Sequence, residues 1–245
     1  MPPRDHTFHG ENACRALFAC RPDAIHRALL SEEAAPRFAD LMRALAKRRR
    51  PYRVVPEAEL EKVAGSRHHE GICIVADPIE PPRAADLLGA LGARPARYVF
   101  LDGVRNPHNV GALLRAAAHF GDAALAGLPG DLPNVSGAVA RIAEGGAEHV
   151  PVLVWPDPRR ALSRLREHGF VVIAAETRGG ASVFDAKLPR RAVFLVGAER
   201  EGLSASARLE ASLAVTIPGT GAVESLNVAV ACSVLLAEHR RQHPS

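Results

Sequence analysis

Three stretches of the chain join glycines to polar side chains in an order that suits ligand contact. The first runs Leu101-Asp102-Gly103-Val104-Arg105-Asn106-Pro107-His108-Asn109-Val110-Gly111, with Arg115 one turn further on. Asn109 suits a helix cap as well as a ligand contact. Gly111 within a helix costs about 1 kcal/mol relative to Ala, which predicts close approach of another backbone. Arg115 lies among Leu114, Ala116 and Ala117, a setting that predicts a directed, buried guanidinium rather than a solvated one. The second stretch is Gly197-Ala198-Glu199-Arg200-Glu201-Gly202-Leu203-Ser204. Its glycines bracket a turn and leave room for a ligand to touch main chain, while Ser204 suits the cap of a following helix. The third is Ile217-Pro218-Gly219-Thr220-Gly221-Ala222-Val223-Glu224-Ser225-Leu226-Asn227-Val228. Ser225 and Asn227 fall at its loop-helix junction, where free amides and polar side chains are both available; Ser225 reads equally as a cap. Each stretch alone is an ordinary turn, and their combination carries the argument.

The elements that must position these loops follow an α/β rhythm. Apolar runs predict strands at 97–102, 123–126, 150–154, 170–175, 193–197 and 213–217, with helices near 109–120, 157–168, 204–211 and 226–241. Strands as uniformly apolar as Val193-Phe194-Leu195-Val196 suit a parallel sheet covered on both faces. In such a sheet ligands bind beyond the carboxyl ends of the strands, which is where all three loops fall. No G-x-G-x-x-G opens the first strand-helix turn, and there is no P-loop lysine, nucleophile elbow or zinc-ligand spacing, so no metal is expected. Upstream, Arg15 to Cys20 ends a helix stopped by Pro22, and Phe38, Leu41, Met42 and Leu45 recur at helical spacing. Tyr52-Arg53-Val54-Val55 and Ile72-Cys73-Ile74-Val75 read as strands. The prolines of Asp77-Pro78-Ile79-Glu80-Pro81-Pro82-Arg83 predict a stiff linker. The expected organisation is a domain over 5–77, a linker over 78–96 and a second domain over 97–245.

Hydrophobic residues make up 47% of the 245 and charged residues 24%, the composition of an ordinary soluble protein. Aromatics are only 4%, so the core is expected to rest on Ala, Val and Leu. The net charge of +4 leans toward polyanionic partners. Cys14, Cys20, Cys73 and Cys232 form no C-x-x-C pair and sit in apolar stretches, which predicts buried free thiols. With no recognisable leader and no apolar run long enough for a bilayer, a reducing cytoplasm is the expected location, with no membrane contact.

Taken together, the three stretches resemble the signature motifs of the SpoU (TrmH-type) branch of the SPOUT methyltransferases. They match Asn-Pro-x-Asn-x-Gly followed by Arg, then Gly-x-Glu-x-x-Gly-Leu, then Ile-Pro with a Gly-containing loop and Ser-Leu-Asn-Val, over residues 97–242. The resemblance implies a C-terminal SPOUT domain with a parallel sheet and a deep trefoil knot, a topology that general chain-crossing rules would have argued against. It also implies a homodimer, with S-adenosylmethionine contacted through the backbone of Gly197, Ile217 and Leu226 and bound as well by Gly202 and Asn227. Asn109, Arg115, Glu199, Ser225 and Asn227 would line the reaction centre. The amino-terminal part resembles the family's small α/β RNA-binding extension, akin to a ribosomal protein, through Phe8-His9-Gly10-Glu11-Asn12-Ala13 and His69-Glu70-Gly71-Ile72. Glu144-Gly145-Gly146-Ala147-Glu148-His149-Val150 adds similarity to a tRNA/rRNA methyltransferase subgroup. The chain departs from the pattern at Ala229, where Ser is frequent, and at Arg200, where Gly is frequent.

The reaction so implied is methyl transfer to a ribose 2′-hydroxyl of tRNA or rRNA. The family's usual description has the first-motif arginine activate the hydroxyl. A guanidinium resists losing its proton, so Arg115 is expected to grip the adjacent phosphate and stabilise the developing alkoxide, with the phosphate as a route for the proton. Glu199 and Asn109 would orient Arg115 or the ribose. Ser225 and Asn227 would place the hydroxyl. Lys47-Arg48-Arg49-Arg50 is the densest basic run, read either as a phosphate grip on structured RNA or as a solvated helix end. The alternative is an RNA-binding ribosome-assembly factor that keeps the fold without methylation.

Overall fold

A computed structural model describes residues 6–82, 94–121, 123–132 and 135–244. In the first half the described elements are β1 (His6–His9), α1 (Glu11–Cys20), β2 (Ile25–Leu30), α2 (Ala39–Lys47), β3 (Tyr52–Val54), α3 (Glu57–Ala64) and β4 (Ile72–Ala76). Next come β5 (Ala96–Asp102), α4 (Pro107–Phe120), β6 (Ala123–Gly127), α5 (Gly137–Ile142) and β7 (Val152–Val154). The remainder are α6 (Pro158–Glu167), β8 (Val171–Glu176), β9 (Ala181–Ser182), β10 (Arg191–Gly197), α7 (Ala205–Leu209), β11 (Leu213–Thr216) and α8 (Val228–Gln242). Two compact units form: one takes the chain to Glu80 together with 134–149, the other takes 81–133 and 150–245. The cut expected along the chain therefore differs from the one in space, because 134–149 folds with the first unit. Most of the expected linker, 83–93, lies outside the described residues.

The first unit is a sheet of order β1-β4-β2-β3. Strand β4 runs antiparallel to both neighbours, while β3 lies parallel to β2. Every residue of β4 is buried, which explains its unbroken apolar sequence. Helix α3 ends on Gly65 at φ 65°, the left-handed cap that glycine favours, and packs Leu60 and Ala64 against Leu29, Val55 and Cys73. The stretch 134–149 closes on β1 and α1. Gly137 sits on the Thr7 carbonyl so closely that a Cβ there would overlap it. The Asn12 amide donates to the Glu144 carboxylate at 2.6 Å, and the Arg21 guanidinium grips Glu148 with two bonds of 2.7 and 2.9 Å. The sequence signals missed β1, β2, α3 and α5, because their apolar residues are few or interrupted by charges.

The second unit is an all-parallel sheet of order β7-β6-β5-β10-β8-β11-β9. Side chains alternate along each strand. Tyr98 and Phe100 on β5, with Val193 and Leu195 on β10, face a core completed by Leu162 and Leu165 of α6. The scarce aromatics gather there: Phe100 stacks on Trp155 at 5.5 Å, and Tyr98 meets Phe170 edge-on at 5.2 Å. On the opposite face Phe194 meets His239 of α8 at 6.1 Å, and the buried Arg97 donates to the Leu236 carbonyl at 3.4 Å. Helix α4 packs on α8. Strands covered on both faces are what the apolar runs required. His239 is fully buried, with its Nε2 donating to the Pro189 carbonyl at 2.9 Å. Burial, with Arg97 adding to it, pushes its pKa down to about 4.

Of the cysteines, Cys14, Cys73 and Cys232 are buried as expected, but Cys20 is exposed. It is the last residue of α1, where the helix turns its side chain out of the apolar stripe. No described helix is long and apolar enough to cross a membrane.

Candidate functional site

The loops after β5, β10 and β11 bring the three sequence stretches together. At the start of α4 the cap is Asn106, whose Oδ1 accepts from the His108 N–H at 2.9 Å, with Pro107 at the first helical position. That leaves Asn109 free of capping duty. Its Nδ2 donates to Glu199 Oε1 at 3.1 Å. Asn227 Nδ2 donates to the same oxygen at 2.6 Å and to Asn109 Oδ1 at 3.0 Å. One residue from each stretch thus forms a closed hydrogen-bonded triad. Asn227 also caps α8, its Oδ1 accepting from the amides of Ala229 and Val230 at 2.9 and 3.4 Å. The cap expected of Ser225 therefore belongs to Asn227, and Ser225 is exposed.

The loop after β10 is tightly folded. Gly197 pairs with Asp102 across the sheet. A Cβ at Gly197 would collide with the main chain of Gly202 and Leu203, so only glycine fits. Gly202 turns at φ 65°, and its N–H donates to the Ala198 carbonyl at 2.8 Å. Leu203 anchors the loop in the aromatic core, while Ser204 caps α7 through the Ala207 N–H at 3.2 Å. The Asp102 carboxylate accepts the Ser204 N–H at 2.7 Å.

Beside this loop opens a cleft of about 430 Å³ at the carboxyl ends of β8, β10 and β11. Gly197, Glu199, Gly202, Ile217, Ser225 and Leu226 all line it; Asn109, Arg115 and Asn227 do not. Glu176, Thr177, Arg178 and Arg208 line it as well. Glu176 accepts two bonds from Arg208, at 2.8 and 3.3 Å. Sequence reasoning passed over these residues, although Glu176-Thr177-Arg178-Gly179-Gly180 is a polar, glycine-bearing run directly after a strand. The size suits a small organic cofactor.

Arg115 departs from expectation. It is exposed, and among the described residues its side chain has no partner. Arg115 lies six positions after Asn109, about 120° away around an α-helix, so the two side chains leave α4 in different directions.

In the first unit the basic run lies where α2 ends. Arg48 pairs with Asp23 at 3.2 Å. Arg50 donates to His26 Nδ1 at 3.1 Å and to the Asp23 carbonyl at 3.2 Å. Arg49 stands in the left-handed region at φ 54°, exposed and with no side-chain partner among the described residues.

Comparison with known proteins gives the geometry a context. Residues 96–237 match the model of the SpoU rRNA methylase family, and 9–82 match one described as RNA 2′-O ribose methyltransferase substrate binding. The chain is 39% identical over 242 residues to an uncharacterized tRNA/rRNA methyltransferase of Escherichia coli O157:H7, covering 96% of this chain and 68% of the relative. It is 32% identical to the 23S rRNA (guanosine-2′-O-)-methyltransferase of Neisseria meningitidis serogroup B, covering 73% and 71%. About a third of each relative lies outside the match. The fold is shared with the SpoU methyltransferase AviRb of Streptomyces viridochromogenes, crystallised with AdoMet: TM-score 0.80 at 20% identity, over 97% of this chain and 90% of that one.

Proposed function

This chain belongs to the SpoU rRNA methylase family, and from that premise we propose that it transfers a methyl group from S-adenosylmethionine to a ribose 2′-hydroxyl of structured RNA. The observation that carries the proposal is the Asn109–Glu199–Asn227 triad at the rim of a cleft of cofactor size. The donor set fits the cofactor: the cleft offers main chain at Gly197, Ile217 and Leu226, and Glu176 and Arg178 supply both signs of charge for an amino-acid moiety. When bound, S-adenosylmethionine supplies a methyl group on a positively charged sulfur.

The chain's own residues hold and orient the acceptor. Both Nδ2 hydrogens of Asn227 are committed, to Glu199 and Asn109. One Nδ2 hydrogen of Asn109 and the second oxygen of Glu199 remain for the ribose. Ser225, exposed in the cleft wall, places the hydroxyl. Arg115 holds the neighbouring phosphate, which requires the RNA or a second copy in a homodimer to bridge it to the triad. Fixing the hydroxyl in line for attack supplies the orientational part of the rate enhancement; its proton leaves by way of the phosphate that Arg115 holds, and the guanidinium stabilises the developing alkoxide. The first unit holds the RNA, with Arg48, Arg49 and Arg50 as phosphate contacts. The family fold brings with it the trefoil knot of the C-terminal domain, and the reaction belongs in the cytoplasm.

The test is methyl transfer from radiolabelled S-adenosylmethionine into total RNA from a strain lacking the gene. Label recovered as 2′-O-methylribose in one RNA class supports the reading and names the substrate class. Cofactor binding with no transfer into any RNA, ribosomal precursors included, would leave an assembly factor as the function.

A further inference from the structure

Nothing above gives Asp102 a role beyond ending β5, yet it holds both ends of the loop on which the cleft and the triad depend. Its main-chain carbonyl accepts the Ala198 N–H at 3.0 Å, just after Gly197 leaves the sheet. Its carboxylate accepts the Ser204 N–H at 2.7 Å, where the loop hands over to α7. Between these two points lie Glu199, which accepts from both asparagines, and Gly202, which lines the cleft. We propose that Asp102 is a positioning residue for cofactor binding, locking the 197–204 loop into the shape that forms one wall of the cleft. The inference rests on the methyltransferase reading.

The physical basis is a charge-assisted bond from a backbone N–H to a carboxylate, about twice as strong as its neutral counterpart. Sterics add to it. Gly197 has no free space on the side of Gly202 and Leu203, so the loop cannot shift toward the strand. It can only open away from it, and opening breaks the Asp102–Ser204 bond. Asp102 is neither a member of the triad nor a lining residue of the cleft, so it acts through the loop.

The experiment is calorimetric titration of S-adenosylmethionine into the full chain and its variants, with melting temperature and RNA affinity measured alongside. Asp102→Ala is expected to weaken cofactor binding about tenfold or more, the effect of losing one charge-assisted bond. Melting temperature should fall by only a few degrees, the global cost of that one bond, and RNA affinity should stay near wild type. Asp102→Asn keeps an acceptor oxygen and should remain within about threefold. Ser204 sits at φ −62°, which proline adopts without strain. Ser204→Pro therefore removes the N–H from the other side together with the capping hydroxyl, and Ser204→Ala is the control that removes the hydroxyl alone. Ser204→Pro should match Asp102→Ala, and Ser204→Ala should bind normally; this pair also decides the matter if Asp102→Ala does not fold. Unchanged cofactor affinity in Asp102→Ala, or equal losses in Asp102→Ala and Asp102→Asn, would overturn the inference alone. Failure of the wild type to bind the cofactor would overturn both this inference and the methyltransferase reading.

Discussion

Asn227 does two jobs with one side chain, and they can be separated. Its oxygen caps α8 and its nitrogen ties Glu199 to Asn109. Asn227→Asp keeps the cap and loses the donor, setting a second carboxylate against Glu199. We expect near-normal thermal stability with methyl transfer reduced by orders of magnitude. Asn227→Ala should in addition lose about 1 kcal/mol of stability, the ordinary worth of a cap. Denaturant unfolding beside a single-turnover assay reads both effects. His239 gives a residue-scale pH effect of definite sign. It is neutral when folded, with its pKa pushed down to about 4 from an ordinary 6.5, so the unfolded chain takes up the extra proton. Its contribution is fully present above about pH 6.5 and falls away as pH drops toward 4, by about 3 kcal/mol in all. The fall between pH 7 and pH 4.5, followed by urea unfolding, should be shallower in His239→Leu. At this scale the sequence named Asn109, Glu199 and Asn227, each in a recognisable motif, without the hydrogen bonds that join them. It expected Arg115 to be buried, and the side chain is exposed, because a run of small neighbours does not by itself report a pocket.

At the scale of elements, the longer strands of the parallel sheet were legible because both faces are covered and their middles are apolar, whereas the two-residue β9 was not. In the first sheet β1 and β2 were not legible, since His6, Thr7, His26 and Arg27 break their apolar pattern. The end of α2 carries an element-scale test. Arg49 occupies a left-handed position where a side chain costs about 1 kcal/mol relative to glycine, and no partner among the described residues offsets it. Arg49→Gly should therefore raise the melting temperature while weakening RNA binding and lowering its dependence on salt. Gains in stability with unchanged RNA affinity would mean that Arg49 makes no phosphate contact.

At the scale of the molecule, the two units do not divide at one point in the chain. A boundary near the prolines at 78–82 is visible in the sequence, but the return of 134–149 to the first unit is not, because it is made by close glycine contacts, one ion pair, one side-chain hydrogen bond and a few small buried residues rather than a long apolar run. A fragment beginning at Pro95 would keep that stretch without β1 and α1. Val139 and Ala143, now fully buried, would be left in water, and we expect dye binding and self-association that the full chain does not show. A monomeric fragment that binds no dye would mean that 134–149 can bury itself unaided. The same arrangement sets a timetable for synthesis. The strands of the first sheet are all made once Ala76 leaves the ribosome. Yet Thr7, Asn12 and Arg21 meet Gly137, Glu144 and Glu148 only some seventy residues later. At about 5–20 residues per second this is a wait of roughly 4–15 s, during which the first unit stands open on one side while β5, α4 and β6 of the second are already emerging.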